Sequence, residues 1–397
     1  MVNVLLLGLV SLLTDVSSEM VYPLLPLYLT TRLGASPAVV GLIEGIAESL
    51  ASLFKVFSGY FSDRIQRRKP WAIGGYASST VGKALFMLSA SWSWILAGRV
   101  IDRFGKGLRT APRDALIAES STLEFRGTAF GLHRMLDTLG AVVGVLLAYY
   151  FLTSFRGDYR PVFMFALVPA SLGVLLLFAV RERVARKEDT ARTEARTLNF
   201  RWSVLDSRLK AFLVVVFLFT LGNSSNQFLL LRAQNMGFSP ASVILLYLTY
   251  NIVYAAVSYP AGRLSDRIGR KALLVFGYLV YGLVYFGFAL ARQPGSIWLL
   301  FGAYGLFAGA TEGVEKALLV DIAPPGQKAT VIGLHATLVG IGLLPASLIA
   351  GLLWSYLGSS APFYLGGVLG IAAALGLWVV LKTVSPAGSP EEGARTS

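Results

Sequence analysis

Apolar runs of membrane-spanning length alternate with short polar breaks along the whole 397-residue chain. Twelve such runs are legible, at about 3–31, 36–60, 70–91, 93–119, 127–153, 160–180, 209–232, 239–261, 272–291, 296–320, 328–355 and 361–382. A hydrocarbon core asks for roughly 20 consecutive helical residues, so each run is long enough to cross. The runs are longer than the ~10 residues of a barrel strand and lack its alternation. The pattern predicts an all-α, polytopic membrane protein with twelve transmembrane helices. The first run starts at Met1 with no basic segment or small-residue cleavage site before it, so it reads as a retained helix.

The pattern also repeats. Gly59-Tyr60-Phe61-Ser62-Asp63-Arg64-Ile65-Gln66-Arg67-Arg68-Lys69 returns 203 positions later as Gly262-Arg263-Leu264-Ser265-Asp266-Arg267-Ile268-Gly269-Arg270-Lys271. Gly34-Ala35-Ser36-Pro37 matches Gly237-Phe238-Ser239-Pro240, and Gly131-Leu132-His133 matches Gly333-Leu334-His335. Ala115, Leu116 and Glu119 match Ala317, Leu318 and Asp321. An even number of spans per copy gives both copies one orientation, related by an axis along the membrane normal. The expected organisation is a six-helix bundle over 1–180, a polar linker over 181–208, a second six-helix bundle over 209–382 and a disordered tail over 383–397.

Composition narrows the classes. The chain is 55% hydrophobic and 14% charged, against ~25% charged in soluble domains. It has no cysteine and two histidines, His133 and His335, which excludes disulfides, thiolate metal sites and histidine-rich metal sites. No catalytic residue, metal or cofactor is expected. No G-x-x-x-x-G-K-[ST] loop and no nucleophile–base motif occurs, which argues against an ATP-driven pump and against an enzyme. The net charge of +13 would suit nucleic acid, but its position decides otherwise. The cations gather after the second and eighth runs and in 181–210, while the alternate connections carry few. That asymmetry is the positive-inside pattern and places both termini in the cytoplasm.

Charges inside the spans are costly, about 2.5–3.5 kcal/mol each on insertion scales, so each needs a partner or a wet cavity. Asp15 and Glu19 on the first span, and Glu44 and Glu48 on the second, lie four apart and so share faces. Lys55 and Lys83 sit where long side chains are expected to snorkel outward. The fourth span holds Arg99, Asp102, Arg103, Lys106, Arg109, Arg113 and Asp114, with Arg99, Arg103 and Lys106 on one face. A carboxylate facing that column is a candidate proton carrier, since fixed cations and desolvation act on it in opposite senses. The seventh span offers uncharged hydrogen-bonding groups, Asn223, Ser224, Ser225, Asn226 and Gln227; the tenth offers Glu312, Glu315 and Lys316, the last two expected to pair.

The doubled hairpin and Arg103-Phe104-Gly105-Lys106-Gly107-Leu108-Arg109-Thr110-Ala111 resemble signatures of the major facilitator superfamily, and the resemblance covers the whole chain. Gln66 stands where that pattern has glycine, Lys106 where glutamine is common and Arg109 where a small residue is common. The resemblance implies a cavity lined by spans 1, 4, 7 and 10, alternating access, and a proton-transfer role for Arg103. It implies that Asp63 and Asp266 close an inner gate against a helix end of the opposite half. Gly59, Arg64, Arg67, Gly262, Arg267 and Arg270 support that gate, and Arg113 and Arg126 are candidate partners. His133 and His335, with the small residues Gly140, Gly144, Gly342 and Ala346 following them, are expected at the sliding interface between halves. Gly144 is followed by Val145, so the glycine–proline signature of proton-driven exporters is incomplete.

The expectation is therefore a proton-coupled secondary transporter of a small organic solute, anionic or zwitterionic, in a bacterial-type inner membrane. The doubled hairpin resembles the drug–proton antiporters and inclines the reading to export. Asp15, Glu19, Glu44, Glu48 and Arg103 are the expected coupling groups. Arg99, Arg103, Lys106, Asn223, Asn226, Gln227 and Glu312 are the expected solute ligands. Partners are then the solute, protons and the bilayer, with a monomer expected and no nucleic acid. Uptake of an anion by symport or exchange is the close rival, and a lipid flippase or a receptor on the same scaffold is the distant one.

Overall fold

The structure, a computed structural model, describes residues 2–65, 67–121, 126–182, 207–323 and 328–381. Most of the expected linker and the expected tail 383–397 therefore fall outside the described residues. Fourteen α-helices and one 3-10 turn build the twelve spans, with no strand among the described residues. The first half holds α1 (Val2–Val21) and α2 (Leu25–Thr31), which form one broken span, then α3 (Pro37–Ile65), α4 (Lys69–Met87), α5 (Trp92–Glu119), α6 (Arg126–Ser154) and α7 (Tyr159–Leu177). The second half holds α8 (Ser207–Gly222) and α9 (Gln227–Asn235), again one broken span, then α10 (Pro240–Ile268), α11 (Arg270–Leu290), α12 (Pro294–Ile322), α13 (Lys328–Leu357) and α14 (Ala361–Val380).

The repeated sequence elements repeat as structure. Gly34 and Gly237 both take left-handed backbone, φ +63° and +90°, which ends the preceding helix at no Cβ cost. Ser36 and Ser239 then cap the next helices through Val39 and Ser242 N–H at 3.4 and 3.2 Å. Pro37 and Pro240 occupy the first helical turn, where no N–H is needed. These turns lie on what we call the distal face; Val2 and Leu381, the outermost described residues, lie on the terminal face.

Nine spans are apolar enough to cross on length and composition, and α3, α4 and α5 are the three that are not. The span α5 packs on both α3 and α4, and the charge is hidden there: Glu44, Lys83, Arg99 and Asp102 are all buried. A hydrocarbon environment permits such charge only inside the bundle or on a wet cavity.

The halves are clasped on the distal side. There α3 runs along α13, with Ala38 N–H to Ser355 Oγ at 3.2 Å and Ser49 Oγ to the Gly340 carbonyl at 2.6 Å. A Cβ on Gly45 would stand 2.9 Å from the Leu344 carbonyl oxygen, and one on Gly351 2.7 Å from that of Pro37. Toward the terminal face the halves part: a Cβ on Gly131, Gly262, Gly313 or Gly333 would meet nothing within 4 Å. Arg134, Glu312 and Lys316, on the terminal side of the chamber, keep side chains 60%, 49% and 62% exposed, so the interior is open toward that face.

The helices that carry His133 and His335 do meet the opposite half, α6 on α10 and α13 on α3, but the place of their small residues is corrected. Gly140 and Gly144 lie against the Leu12 and Val16 carbonyls of α1, and Gly342 lies against Thr220 of α8. These small residues serve close crossings inside each half, where α1 and α8 meet their neighbours. The seam between halves uses Gly41 and Gly45 of α3 with Gly340, Leu344, Ser347 and Gly351 of α13 instead.

Candidate functional site

Both broken helices face one chamber. In the first span Pro23 and Pro26 withhold N–H donors, and Tyr22–Leu24 winds as a 3-10 turn. In the seventh, Asn223–Asn226 leaves the helix without any proline. Ser225 Oγ accepts the Gln227 N–H and the Ser225 N–H reaches Ser347 Oγ, each at 3.3 Å. Such substitutes are needed because unpaired backbone is tolerated in a membrane only beside protein or water. The offset of 203 that relates Gly34 to Gly237 carries 22–24 onto 225–227, so the two breaks overlap in the repeat. Discontinuous helices at a repeat interface are where transporters of this build place their ligands.

The chamber has a volume of about 300 Å³. Asp15, Glu19, Tyr22, Glu48, Lys83, Arg99, Arg103, Lys106 and Arg109 line it from the first half. Asn223, Ser224, Ser225, Asn226 and Tyr247 line it from the second.

Its first-half charges fall into two groups. One group is paired: Glu44 accepts from Arg99 in a bidentate pair, Nε to Oε1 at 2.7 Å, with both side chains buried. Glu48 Oε1 lies 3.1 Å from Arg103 Nε and 3.6 Å from Arg99. Asp102 stands 3.7 Å from Arg99. A bidentate guanidinium–carboxylate fork fixes geometry as well as charge. The Arg99 and Arg103 guanidiniums also stand over the Tyr22 ring, at 5.6 and 5.9 Å.

The other group has no ion-pair partner within 4.0 Å among the described residues. Lys83 Nζ donates to Ser18 Oγ at 3.0 Å and is buried in the chamber wall, which corrects its expected outward snorkel. Its helix packs on α5, so the ammonium points to the one polar space within reach. Arg109 donates to Ser79 Oγ and lies 4.5 Å from the Tyr76 ring centre. Lys106 projects into the chamber itself. Across from these cations, Asp15 and Glu19 also lack a cation, and Glu19 Oε2 accepts from Tyr247 OH of the other half at 2.9 Å. Lys55, by contrast, is exposed as expected.

The second half answers with rings and amides. Tyr22, Tyr247, Tyr250 and Tyr254 form a run of ring contacts, with centroids 5.7, 5.8 and 6.2 Å apart. Tyr304 OH donates to Asn226 Oδ1 at 2.7 Å. Two expected ligands do not reach the chamber. Gln227 is fully buried behind it with neither amide atom hydrogen-bonded among the described residues, and Glu312 sits in the vestibule toward the terminal face. There Glu312 accepts from Tyr254 OH at 2.6 Å and from Lys316 at 3.1 Å, while Tyr254 OH also accepts from Arg134 of the first half at 2.9 Å. The expected Glu315–Lys316 pair is replaced: Glu315 takes His335 Nε2 at 2.6 Å and Tyr278 OH at 3.0 Å, because those groups lie on its own buried side.

The gate residues are found apart. Arg270 bonds Asp321 at 2.8 Å and lies 4.0 Å from Asp266, both in its own half. Arg113 holds Asp114 at 2.8 Å and Ser11 at 3.1 Å, again in its own half. Arg67 and Arg267 are exposed, and Gly262 faces open space. Gly59 lies 3.3 Å from Ala111 when given a Cβ. The side chains of Asp63, Arg64 and Arg126 lie outside the described residues. His133 is buried with Nε2 lacking a described partner, whereas His335 is hydrogen-bonded to Glu315 in its own half, so the equivalent histidines have different surroundings.

Sequence reasoning missed the paired breaks, although Tyr22-Pro23-Leu24-Leu25-Pro26 and the uncharged run 223–226 were their signals. Asp137 was legible as an intramembrane acid on the His133 face, but its neighbour on α1 was not.

The sequence profile of the Major Facilitator Superfamily matches residues 7–232 and again 211–397. An uncharacterized MFS-type transporter of Methanocaldococcus jannaschii is 38% identical over 381 residues, covering 94% of this chain and 93% of that one. The multidrug resistance protein MdtH of Photorhabdus laumondii is 26% identical over 378 residues, 91% and 90% of the two chains. Among solved structures, a POT family transporter in complex with 5-aminolevulinic acid superposes with a TM-score of 0.77 at 15% identity, covering 95% of each chain, a likeness of fold alone. Twelve spans in two equivalent halves, paired helix breaks on a central chamber and these matches along its whole length make this chain a member of the major facilitator superfamily, a multi-pass transporter.

Proposed function

We propose that the chain is a proton-coupled secondary transporter of a small organic solute with an anionic or zwitterionic group, working as a monomer. We place it in an inner membrane with both termini cytoplasmic, which makes the terminal opening an inward-facing one. The observation that carries this reading is Lys106, a cation with no ion-pair partner among the described residues, in a chamber that also holds two acids without a described cation, Asp15 and Glu19. A static scaffold has no use for such a mismatch, since each unpaired intramembrane charge is costly. In our reading Lys106 and Lys83 take the solute's carboxylate. Tyr22 and Tyr247 flank its apolar body, and Asn223 and Asn226 supply directed hydrogen bonds. Arg99, Arg103, Glu44 and Glu48 hold the wall in place.

Export is the direction we adopt, supported by the relatives named multidrug resistance proteins and by the doubled hairpin. Export against protons needs solute and proton to compete, and a zwitterion meets that need: its ammonium and the proton contend for Asp15 and Glu19. A second reading has its own support. Lys83, Lys106 and Arg109 outnumber the two free acids, and for a plain anion a protonated acid leaves Lys106 available, so proton and solute bind together and uptake results.

Reconstituted vesicles separate the two. Three aromatic solutes of matched ring, a carboxylate, a zwitterion and an amine, are offered with an imposed pH gradient. Exchange of zwitterion for proton accumulates it in vesicles acid inside; symport of the carboxylate accumulates it in vesicles alkaline inside. Transport indifferent to the gradient and to Asp15→Asn, Glu19→Gln and Arg103→Ala would remove the proposal.

A further inference from the structure

Between the chamber and the terminal vestibule, α1, α5 and α6 bring two aspartates together. The Asp15 carboxyl lies within hydrogen-bonding reach of the Asp137 carboxyl. Ser11 Oγ donates to Asp137 Oδ1 at 3.0 Å, Arg113 donates to Ser11 Oγ at 3.1 Å, and Arg134 stands 3.4 Å from Asp137 Oδ2. We propose that Asp15 and Asp137 share one proton and that this proton is the ion moved in the transport cycle, an inference that rests on the proton-coupled reading above.

Two ionised carboxylates have no donor between them, so a hydrogen-bonded pair must hold a proton. Asp137 has the support an anion needs, in Ser11 and Arg134. Asp15 has no cation within 4.0 Å among the described residues, so it is the member that carries the hydrogen. The charged groups around the pair are Glu19 of α1, Lys83 of α4, Lys106, Arg113 and Asp114 of α5, and His133 and Arg134 of α6. His133 is the second pointer. It lies one turn before Asp137 on the same face, is 5% exposed, and its Nε2 has no described partner.

The placement gives the proton two exits. Asp15 lines the chamber, while Arg134 and Asp114 are exposed on the vestibule side. Loss of the proton leaves two touching carboxylates, a state that only a cation can relieve. In the export reading that cation is the ammonium of the zwitterionic solute, which reaches Asp15 from the chamber, so proton release and solute binding alternate at one site.

Infrared spectroscopy of the full chain, purified with ¹³C-labelled aspartate, tests the pair without a known solute. The expected result is a protonated-carboxyl band at neutral pH that moves on aspartate labelling. It should be lost in both Asp15→Asn and Asp137→Asn and kept in Glu19→Gln. A wild-type spectrum with no such aspartate band, or a band that survives both replacements, overturns the inference; the wild-type spectrum decides even if a variant does not fold. Vesicle transport distinguishes the two layers. A band as expected, with no solute moved by any pH gradient, sinks the coupled reading but not the shared proton. Gradient-driven transport that persists in both asparagine variants and fails in Glu19→Gln sinks Asp15–Asp137 as the carrier and leaves coupling intact.

Discussion

The two halves share a backbone plan and differ in what they bury. With the repeat offset of 203 for α3 and α10, Glu44 falls on Tyr247 and Glu48 on Asn251. With 202 for α5 and α12, Arg99 falls on Phe301, Asp102 on Tyr304, Arg103 on Gly305 and Lys106 on Ala308. Where the first half crosses its spans with forked ion pairs, the second uses rings: Tyr281 lies 4.1 Å from Tyr285 and 4.9 Å from Phe307 between centroids. Gly305, in place of Arg103, lets α12 approach the Tyr250 carbonyl of α10 so closely that a Cβ would stand 2.7 Å away. The lesson is that the turns carry the fold, which both halves keep, while a few wall positions carry the chemistry, which they do not. Charge sits on one side of the chamber and hydrogen-bonding aromatic surface on the other. A solute with an ionised group and an apolar body meets both.

That contrast can be broken most severely at the buried fork. Glu44→Ala leaves the Arg99 guanidinium buried and without its bidentate partner, and should cost about 3–5 kcal/mol; detergent unfolding curves read it directly. The equivalent change in the second half, Tyr247→Phe, removes one hydrogen bond to Glu19 and should cost about 1 kcal/mol. If the two losses were equal, the halves would not differ as described.

Next in size is Lys106→Gln, which should weaken binding of a carboxylate solute by about 1.5–3 kcal/mol, the range for hydrogen bonds to charged groups. Stability should stay within about 0.5 kcal/mol, because Lys106 supports no described side chain. Calorimetry and unfolding on the same preparation check both. The seam between halves comes third. Gly45→Leu forces α3 from α13 and should cost about 1–3 kcal/mol by overpacking, with a longer distal distance between spin labels on the two helices. Gly262→Leu on the splayed side should change neither reading. Smallest is Lys55→Ala, exposed and remote from the chamber wall, expected within about 0.5 kcal/mol of wild type.

Much of this was legible before the structure because the relevant signals are local. Span number and the repeat follow from run length and from turns such as Gly34-Ala35-Ser36-Pro37, whose physics lies within four residues. The face shared by Arg99, Arg103 and Lys106 follows from helical spacing alone. Pairing choices were not legible, because they depend on how spans rotate against each other. Thus Glu315 found His335 rather than Lys316, and Gly140 and Gly144 met α1 rather than the other half. Lys83 shows the same limit: its distance from the helix end permits snorkelling, but only the packed neighbours aim it inward.

The most direct test is accumulation of the aromatic zwitterion by vesicles with an imposed pH gradient, comparing Asp15→Asn with Asn226→Ala. The account predicts that Asp15→Asn abolishes gradient-driven accumulation while solute-for-solute exchange continues. Asn226→Ala should raise the solute concentration needed for half-maximal transport and keep the gradient dependence. Undiminished gradient-driven accumulation in Asp15→Asn, or loss of gradient dependence in Asn226→Ala, would contradict the division of labour between the halves.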